Sequence, residues 1–268
     1  MRLRLVLLGS LVAMSACGSS PADNASSNAS QCPDESTKGS LVILAASSMA
    51  SVFADTEQQF LAEHPCITDV AFSYGSSATL AAQILNGFPA DVFISASEKT
   101  MNTVKDADKT LSVYNFAKNA GEIMVNTDSK YDSQITDIAS LTDAVNAGIK
   151  VGLCVTTAPC GALADSILEK SSITRKAIAD TESSSVEDLV SKIEMGELDA
   201  GIVFHSDCVS ALNQKSSQCV SVPSDMNAST SYYVAALNRR FVSQQFADFV
   251  SSSSFTGSLQ SKFGFLAP

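Results

Sequence analysis

Residues 41–49, Leu-Val-Ile-Leu-Ala-Ala-Ser-Ser-Met, pass from a continuous apolar run through two alanines to a pair of serines. The run suits a strand buried on both faces, and the serines suit the start of a helix. The first amides of a helix have no partners within it, and its dipole leaves partial positive charge there. A buried strand that ends on such a terminus therefore forms a site for an anion. Taken alone, the serines are explained by helix capping, so the ligand reading needs the arrangement to recur along the chain.

It recurs. Met49, Val52, Phe53, Thr56 and Phe60 fall at i, i+3, i+4, i+7 and i+11, predicting a helix over 48–64 that ends near His64-Pro65. Val70, Phe72 and Tyr74 alternate as a half-buried strand over 68–74, after which Gly75-Ser-Ser-Ala-Thr-Leu80 opens a second helix that Gly87 stops. Strands are expected at 91–95, 121–126 and 150–155, and helices at 98–106 and 137–146. The strand at 150–155 feeds Thr156-Thr-Ala-Pro-Cys-Gly161, read as a loop, and then a helix with Leu163, Ile167 and Leu168 on one face. Gly161 would let backbone amides come close to a ligand, although a stapled turn with no ligand explains Cys160-Gly161 equally well. Ser184 and Glu187 stand at capping-box spacing for a helix over 182–196, where acids already meet the dipole. Strands at 200–204, 218–222 and 231–237 and helices at 240–251 and 255–263 complete the alternation. The pattern predicts a parallel-rich α/β protein that binds its ligand at the carboxyl ends of strands.

Seventeen Lys+Arg against 28 Asp+Glu give a formal charge of −11. Residues 1–17 hold Arg2 and Arg4 and no acid, so without them 15 bases face 28 acids and the charge is −13. Nucleic acid needs a basic face, and none is visible. The same acidity repels an anion at long range, so any anion must be held by local dipoles. Residues 1–17 have a basic start, an apolar run from Leu5 to Val12 and small residues before Cys17, the pattern of a secretory signal too short to span a bilayer. Their end, Met-Ser-Ala-Cys, resembles the lipobox of bacterial lipoproteins, which implies cleavage before Cys17 and a lipid anchor on its sulfur. Residues 18–39 read as a tether, polar and small-residue-rich for most of their length.

Six cysteines remain, at 32, 66, 154, 160, 208 and 219. An even number in an exported chain favours disulfides, and six allow fifteen connectivities. Their spacing suggests Cys154–Cys160 and Cys208–Cys219 as local staples, leaving Cys32–Cys66 to tie the tether to the folded part. Close-spaced pairs are missing and only His64 and His205 could join them, so no metal site is expected. Neither histidine has a nucleophile pattern beside it, and no Gly-x-Ser-x-Gly elbow, P-loop or dinucleotide fingerprint occurs. No catalytic residue or cofactor is assigned, and an enzyme is the alternative reading.

Ala45-Ala-Ser-Ser48, Gly75-Ser-Ser-Ala-Thr-Leu80, Pro89-Ala-Asp-Val-Phe-Ile-Ser-Ala96, Ala158-Pro-Cys-Gly161, Gly201-Ile-Val-Phe-His-Ser-Asp207 and Lys262-Phe-Gly-Phe265 resemble, in order over residues 40–268, the molybdate-binding proteins of ABC uptake systems. The resemblance implies the two-lobed, type II periplasmic-binding-protein-like α/β fold, with two chain crossovers between lobes. The first lobe would be 40–118 plus 226–268, and the second 119–225. It implies a monomeric receptor for molybdate or tungstate, lipid-anchored outside the cell membrane and served by the permease and ATPase subunits of an importer. Ser47 and Ser77 match positions that supply hydroxyls and amides from the first lobe, and Cys160 and Val186 match positions that supply backbone amides from the second. Phe204 stands where the family often has a tyrosine whose hydroxyl donates to the anion, which puts the donor count in question. Another oxyanion such as sulfate or phosphate, or an enzyme or adhesin on the same fold, is the alternative.

Overall fold

The computed structural model of the chain describes Cys32, residues 38–212 and residues 216–268. The expected signal, Cys17 and nearly all of the tether lie outside these residues. β1 (Gly39–Ala46) is the opening apolar run, with Leu41, Ile43, Leu44 and Ala45 completely buried, as a central strand covered on both faces requires. A single 3-10 turn, Ser47–Met49, leads into α1 (Ala50–Glu63), which buries Val52, Phe53 and Phe60. β2 (Ile67–Gly75), α2 (Ser77–Leu85), β3 (Val92–Ser95) and α3 (Glu98–Asp106) follow. Just past α2, Gly87 sits at φ +88°, the left-handed turn its sequence position predicts.

β4 (Ser112–Asn126) is fifteen residues long, starting nine residues before the strand expected from Gly121. Its first part, with Lys118 and Asn119 among small residues, shows no clean alternation because it crosses between the two halves of the molecule. α4 (Ile138–Asn146) starts on Asp137 in a reciprocal capping box with Ser140. β5 (Val151–Cys154) leads to α5 (Pro159–Lys170), so Pro159–Gly161 form the first helical turn and not a loop; Pro at the first position lacks only an N–H the helix cannot use. α6 (Arg175–Ile178) and β6 (Thr181–Ser183) precede α7 (Val186–Glu194). The cap of α7 is Ser185, whose hydroxyl accepts the Asp188 N–H, one residue later than the Ser184–Glu187 spacing suggested. β7 (Ala200–Phe204), α8 (His205–Leu212), β8 (Ser217–Ser221), β9 (Ser229–Ala236), α9 (Phe241–Ser251) and α10 (Ser253–Phe263) complete the chain.

The strands run in the order β2-β1-β3-β9-β4-β7-β5-β6, with β8 also on β4. Residues 112–120 of β4 pair with β9, and residues 121–126 pair with β7 and β8. The pairs β1–β2, β1–β3, β5–β6 and β5–β7 are parallel, while every pair made by β4 or β9 is antiparallel. The parallel-rich expectation thus holds only away from the two crossing strands. One apolar core runs from Ile123 to Val222; the others draw on residues 41–117 and 232–265. The chain therefore passes twice between separately packed halves, which is the two-lobed solute-binding fold. In the first half Phe53, Phe60, Phe72, Phe246, Phe249 and Phe255 stack behind β1, and His64 packs on Phe60 with ring centres 4.6 Å apart. Such ring pairs add roughly 0.5–1.5 kcal/mol each beyond the area they bury. No helix among the described residues is long and apolar enough to cross a membrane.

Candidate functional site

Four helical starts meet at one cavity between the halves. Ala46-Ser47-Ser48 comes from the end of β1, Gly75-Ser76-Ser77 from β2 and α2, Pro159-Cys160 from α5 and Ser185-Val186 from α7; Ala96 and Phe204 close it. All five residues singled out in the sequence, Ser47, Ser77, Cys160, Val186 and Phe204, line this space. The space left free between them is about 10 Å³, room for about one water-sized sphere and far below the roughly 300–1,000 Å³ of a site for a drug-sized ligand. None of the lining side chains carries a charge, and Cys160 is held in a disulfide, so the lining offers no base, thiolate or metal ligand.

It offers donors. The first internal helical bonds of α2, α5 and α7 run from Leu80 to Ser76, Ala162 to Ala158 and Leu189 to Ser185. Amides ahead of those, including those of Ser77, Cys160 and Val186, have no acceptor in their own helices. Ser77 Oγ accepts the Ala96 N–H at 3.0 Å, which leaves the serine proton to be donated elsewhere. The next peptide is held by Thr230, whose hydroxyl donates to the Ala96 carbonyl at 2.6 Å.

The α5 start is aimed by three constraints. Cys160 is bridged to Cys154 at the end of β5, with Cα atoms 5.7 Å apart. Gly161 packs its Cα so close to the Val155 carbonyl that any Cβ there would overlap the oxygen. Arg175, from α6, donates to the carbonyls of Cys154 at 2.7 Å and Gly161 at 3.2 Å and to the Asp165 carboxylate at 2.7 Å. The other bridges join Cys32 to Cys66 and Cys208 to Cys219, with Cα atoms 5.2 and 5.8 Å apart. His205 Nδ1 pairs with Glu122 at 2.9 Å, outside the cavity lining.

An acidic vestibule adjoins the cavity, sharing Ser47 and Ser48 and lined further by Glu187, Glu194 and Asp207. Withdrawal from solvent pushes the Asp207 carboxyl up to about 7; the Phe204 N–H it accepts at 3.1 Å opposes this, and the nearby Glu187 charge reinforces it. Burial likewise raises Glu194 above the usual carboxylate range. Ser51 of α1 and Ser210 of α8 meet across the gap at 3.3 Å, so the halves are closed on each other here.

Residues 41–266, most of the chain, match the family of bacterial extracellular solute-binding proteins. The chain belongs to that family. Among relatives of this solute-binding protein, the molybdate-binding protein ModA of Mycobacterium bovis is 32% identical over 228 residues, 84% of this chain and 80% of the relative. A periplasmic molybdate-binding protein of Azotobacter vinelandii superposes with TM-score 0.73 at 18% identity, covering 85% of this chain and 99% of the other. The sulfate-binding protein SubI of Mycobacterium tuberculosis gives 0.71 at 16% identity, covering 84% and 86%. These two structural likenesses speak for the fold alone, and their near-equal scores mean that the fold does not choose the ion. Family membership places the chain among binding proteins and not enzymes.

Sequence reasoning did not single out Tyr232, Asn119, Arg175 or Asp207 at this solute-binding cleft. Tyr232 lies in Ser-Tyr-Tyr-Val, where the pattern does not say which tyrosine turns inward. Asn119 hides in the crossing part of β4. Asp207 was legible only as part of Gly-Ile-Val-Phe-His-Ser-Asp, with no sign that its carboxylate would be enclosed.

Proposed function

We propose that this solute-binding protein takes up molybdate, and tungstate alongside it, and delivers the ion to the permease and ATPase subunits of an ABC importer. The observation that carries this reading is the convergence of four helical starts and several serines on one small cavity without a charged side chain. Neutral dipoles stabilise a dianion and cost less to desolvate than a buried ion pair. In this account Ser47 and Ser77 give hydroxyl and amide donors, Cys160 and Val186 give backbone amides, and Phe204 turns its ring edge to the ion. The 32% identity to the molybdate-binding protein ModA of Mycobacterium bovis supports molybdate over sulfate. Sulfate would be discriminated against by its smaller size.

The lobes would be 40–118 plus 226–268 and 119–225, a division supported by the separate apolar cores. The Met-Ser-Ala-Cys17 pattern supports a lipid anchor outside the cell membrane, with the binding domain a monomer on its tether.

Molybdate or tungstate should raise the melting temperature of the purified full-length protein, because a ligand bound only by the folded state stabilises it by RT ln(1 + [L]/Kd), about 2.7 kcal/mol at a hundredfold excess over Kd. Phosphate should shift it little. Equal shifts with molybdate, tungstate, sulfate and phosphate would mark a general salt effect and overturn the assignment.

A further inference from the structure

A buried polar chain runs beneath the cleft from Ser206 through Asn119 and Tyr232 to Ser48, joining α8, the two crossing strands and the turn after β1. Its protons can be placed by counting. Asn119 Oδ1 accepts the backbone N–H groups of Ala120 at 3.1 Å and Ser206 at 3.4 Å, which orients the amide. Its Nδ2 then faces Ser206 Oγ at 2.7 Å and Tyr232 Oη at 3.5 Å. An amide NH2 can only donate, so it cannot receive the tyrosine proton.

Tyr232 is completely buried, and burial pushes its phenol far above the ordinary range, so the hydroxyl keeps its proton at neutral pH. Among the described residues the acceptor in reach is Ser48 Oγ, at 2.7 Å. Were Ser48 the donor in that pair, the Tyr232 proton would be enclosed without an acceptor, an expensive arrangement. Tyr232 therefore donates to Ser48. The proton on Ser48 is left with no protein partner among the described residues, and Ser48 lines the cavity.

We propose that Ser48 is a further anion-binding residue, donating its Oγ–H into the cleft, with Asn119 and Tyr232 as positioning residues that fix the direction of that proton. The inference rests on reading the cleft as an oxyanion site. It supplies a hydroxyl donor to a cavity whose Phe204 wall has none, the Phe204 ring lying 6.1 Å from that of Tyr232.

The test is a double-mutant cycle on the full-length protein: molybdate Kd by calorimetry for the unaltered chain, Ser48→Ala, Tyr232→Phe and the two combined, with an anion-free melt of each. Loss of a hydrogen bond to a charged group predicts about tenfold or more weaker binding for Ser48→Ala. Tyr232→Phe should weaken binding less, and should cost nothing further once Ser48 is alanine. A purely structural tyrosine would instead add its full cost in both backgrounds, since independent effects are additive. The inference is overturned if Ser48→Ala binds within about twofold of the unaltered chain, the usual additivity error, or if the two losses add. An unaltered chain that binds molybdate while Ser48→Ala loses nothing sinks this inference alone. An unaltered chain that binds no oxyanion sinks the reading of the cleft, and this inference with it.

Discussion

Phe204 ends β7 with 1% of its surface exposed and lines the cavity, so it closes a core and walls the candidate cleft at once. Its place in Gly-Ile-Val-Phe made the core role legible, the family resemblance set it beside the ligand, and the fold puts it on the cavity. Phe204→Tyr would set a phenolic donor against the anion, and a charge-assisted bond should tighten molybdate binding by about 1–2 kcal/mol. Calorimetry on both proteins at one pH and salt concentration checks this; unchanged or weaker affinity would show that no donor is lacking there. Asp207 makes a second prediction at this scale. Its carboxyl is raised from an ordinary 3.8 to about 7 in the folded protein. Below about pH 4 it is protonated in both states. Between there and 7 the unfolded chain ionises first, so folding stability falls as pH rises across that window and the loss is complete above it. Asp207→Asn removes this titration and keeps an acceptor for the Phe204 N–H. The variant's melting temperature relative to the unaltered protein should therefore climb from pH 4 to pH 8, despite Glu187 and Glu194 nearby, which both proteins share. A difference that does not change with pH would contradict it.

The helix starts show why sequence carried so much of the site. β1 and β7 were readable because a short continuous apolar run suits a strand buried on both faces, and β2 because Val70, Phe72 and Tyr74 alternate. The small polar residues after β1 and β2 marked helix starts, although no serine side chain caps either one. Two starts were placed less well, each for a local reason. Pro159 looks like a loop residue but occupies the first helical turn, and the triple serine at 183–185 lets the cap slide one position, since any of the three hydroxyls could serve. The long β4 was half missed because a strand that changes neighbours along its length loses the alternation that betrays strands. At α5 the bridge, Gly161 and Arg175 together aim the Cys160 amide. Reducing Cys154–Cys160 should thus weaken molybdate binding by loosening that turn, measurable by titration with and without reductant. If mass mapping of the oxidised protein finds either thiol free, the bridge is not there to be reduced. Unchanged affinity after proven reduction would mean that Gly161 and Arg175 suffice.

Across the whole molecule, the strand–helix alternation told of an α/β protein, while the antiparallel crossings that divide it into two halves depend on contacts between residues a hundred positions apart, which periodicity does not report. The architecture explains how an acidic chain, at −11 overall, can hold an anion. Both halves contribute amides and hydroxyls at a single point, and carboxylates are kept to the neighbouring vestibule. Local dipoles act over a few ångströms in an enclosed space, where solvent screens them least, whereas salt screens the surface charge beyond about 8–10 Å. The account's central claim is that this neutral cleft is built for a tetrahedral oxyanion of molybdate size. Calorimetric titration of the full-length protein with molybdate, tungstate, sulfate and phosphate, at one pH and salt concentration, tests it most directly. One molybdate or tungstate per chain should bind, with sulfate and phosphate much weaker; no binding of any of the four, or sulfate or phosphate binding as tightly as molybdate, would contradict it.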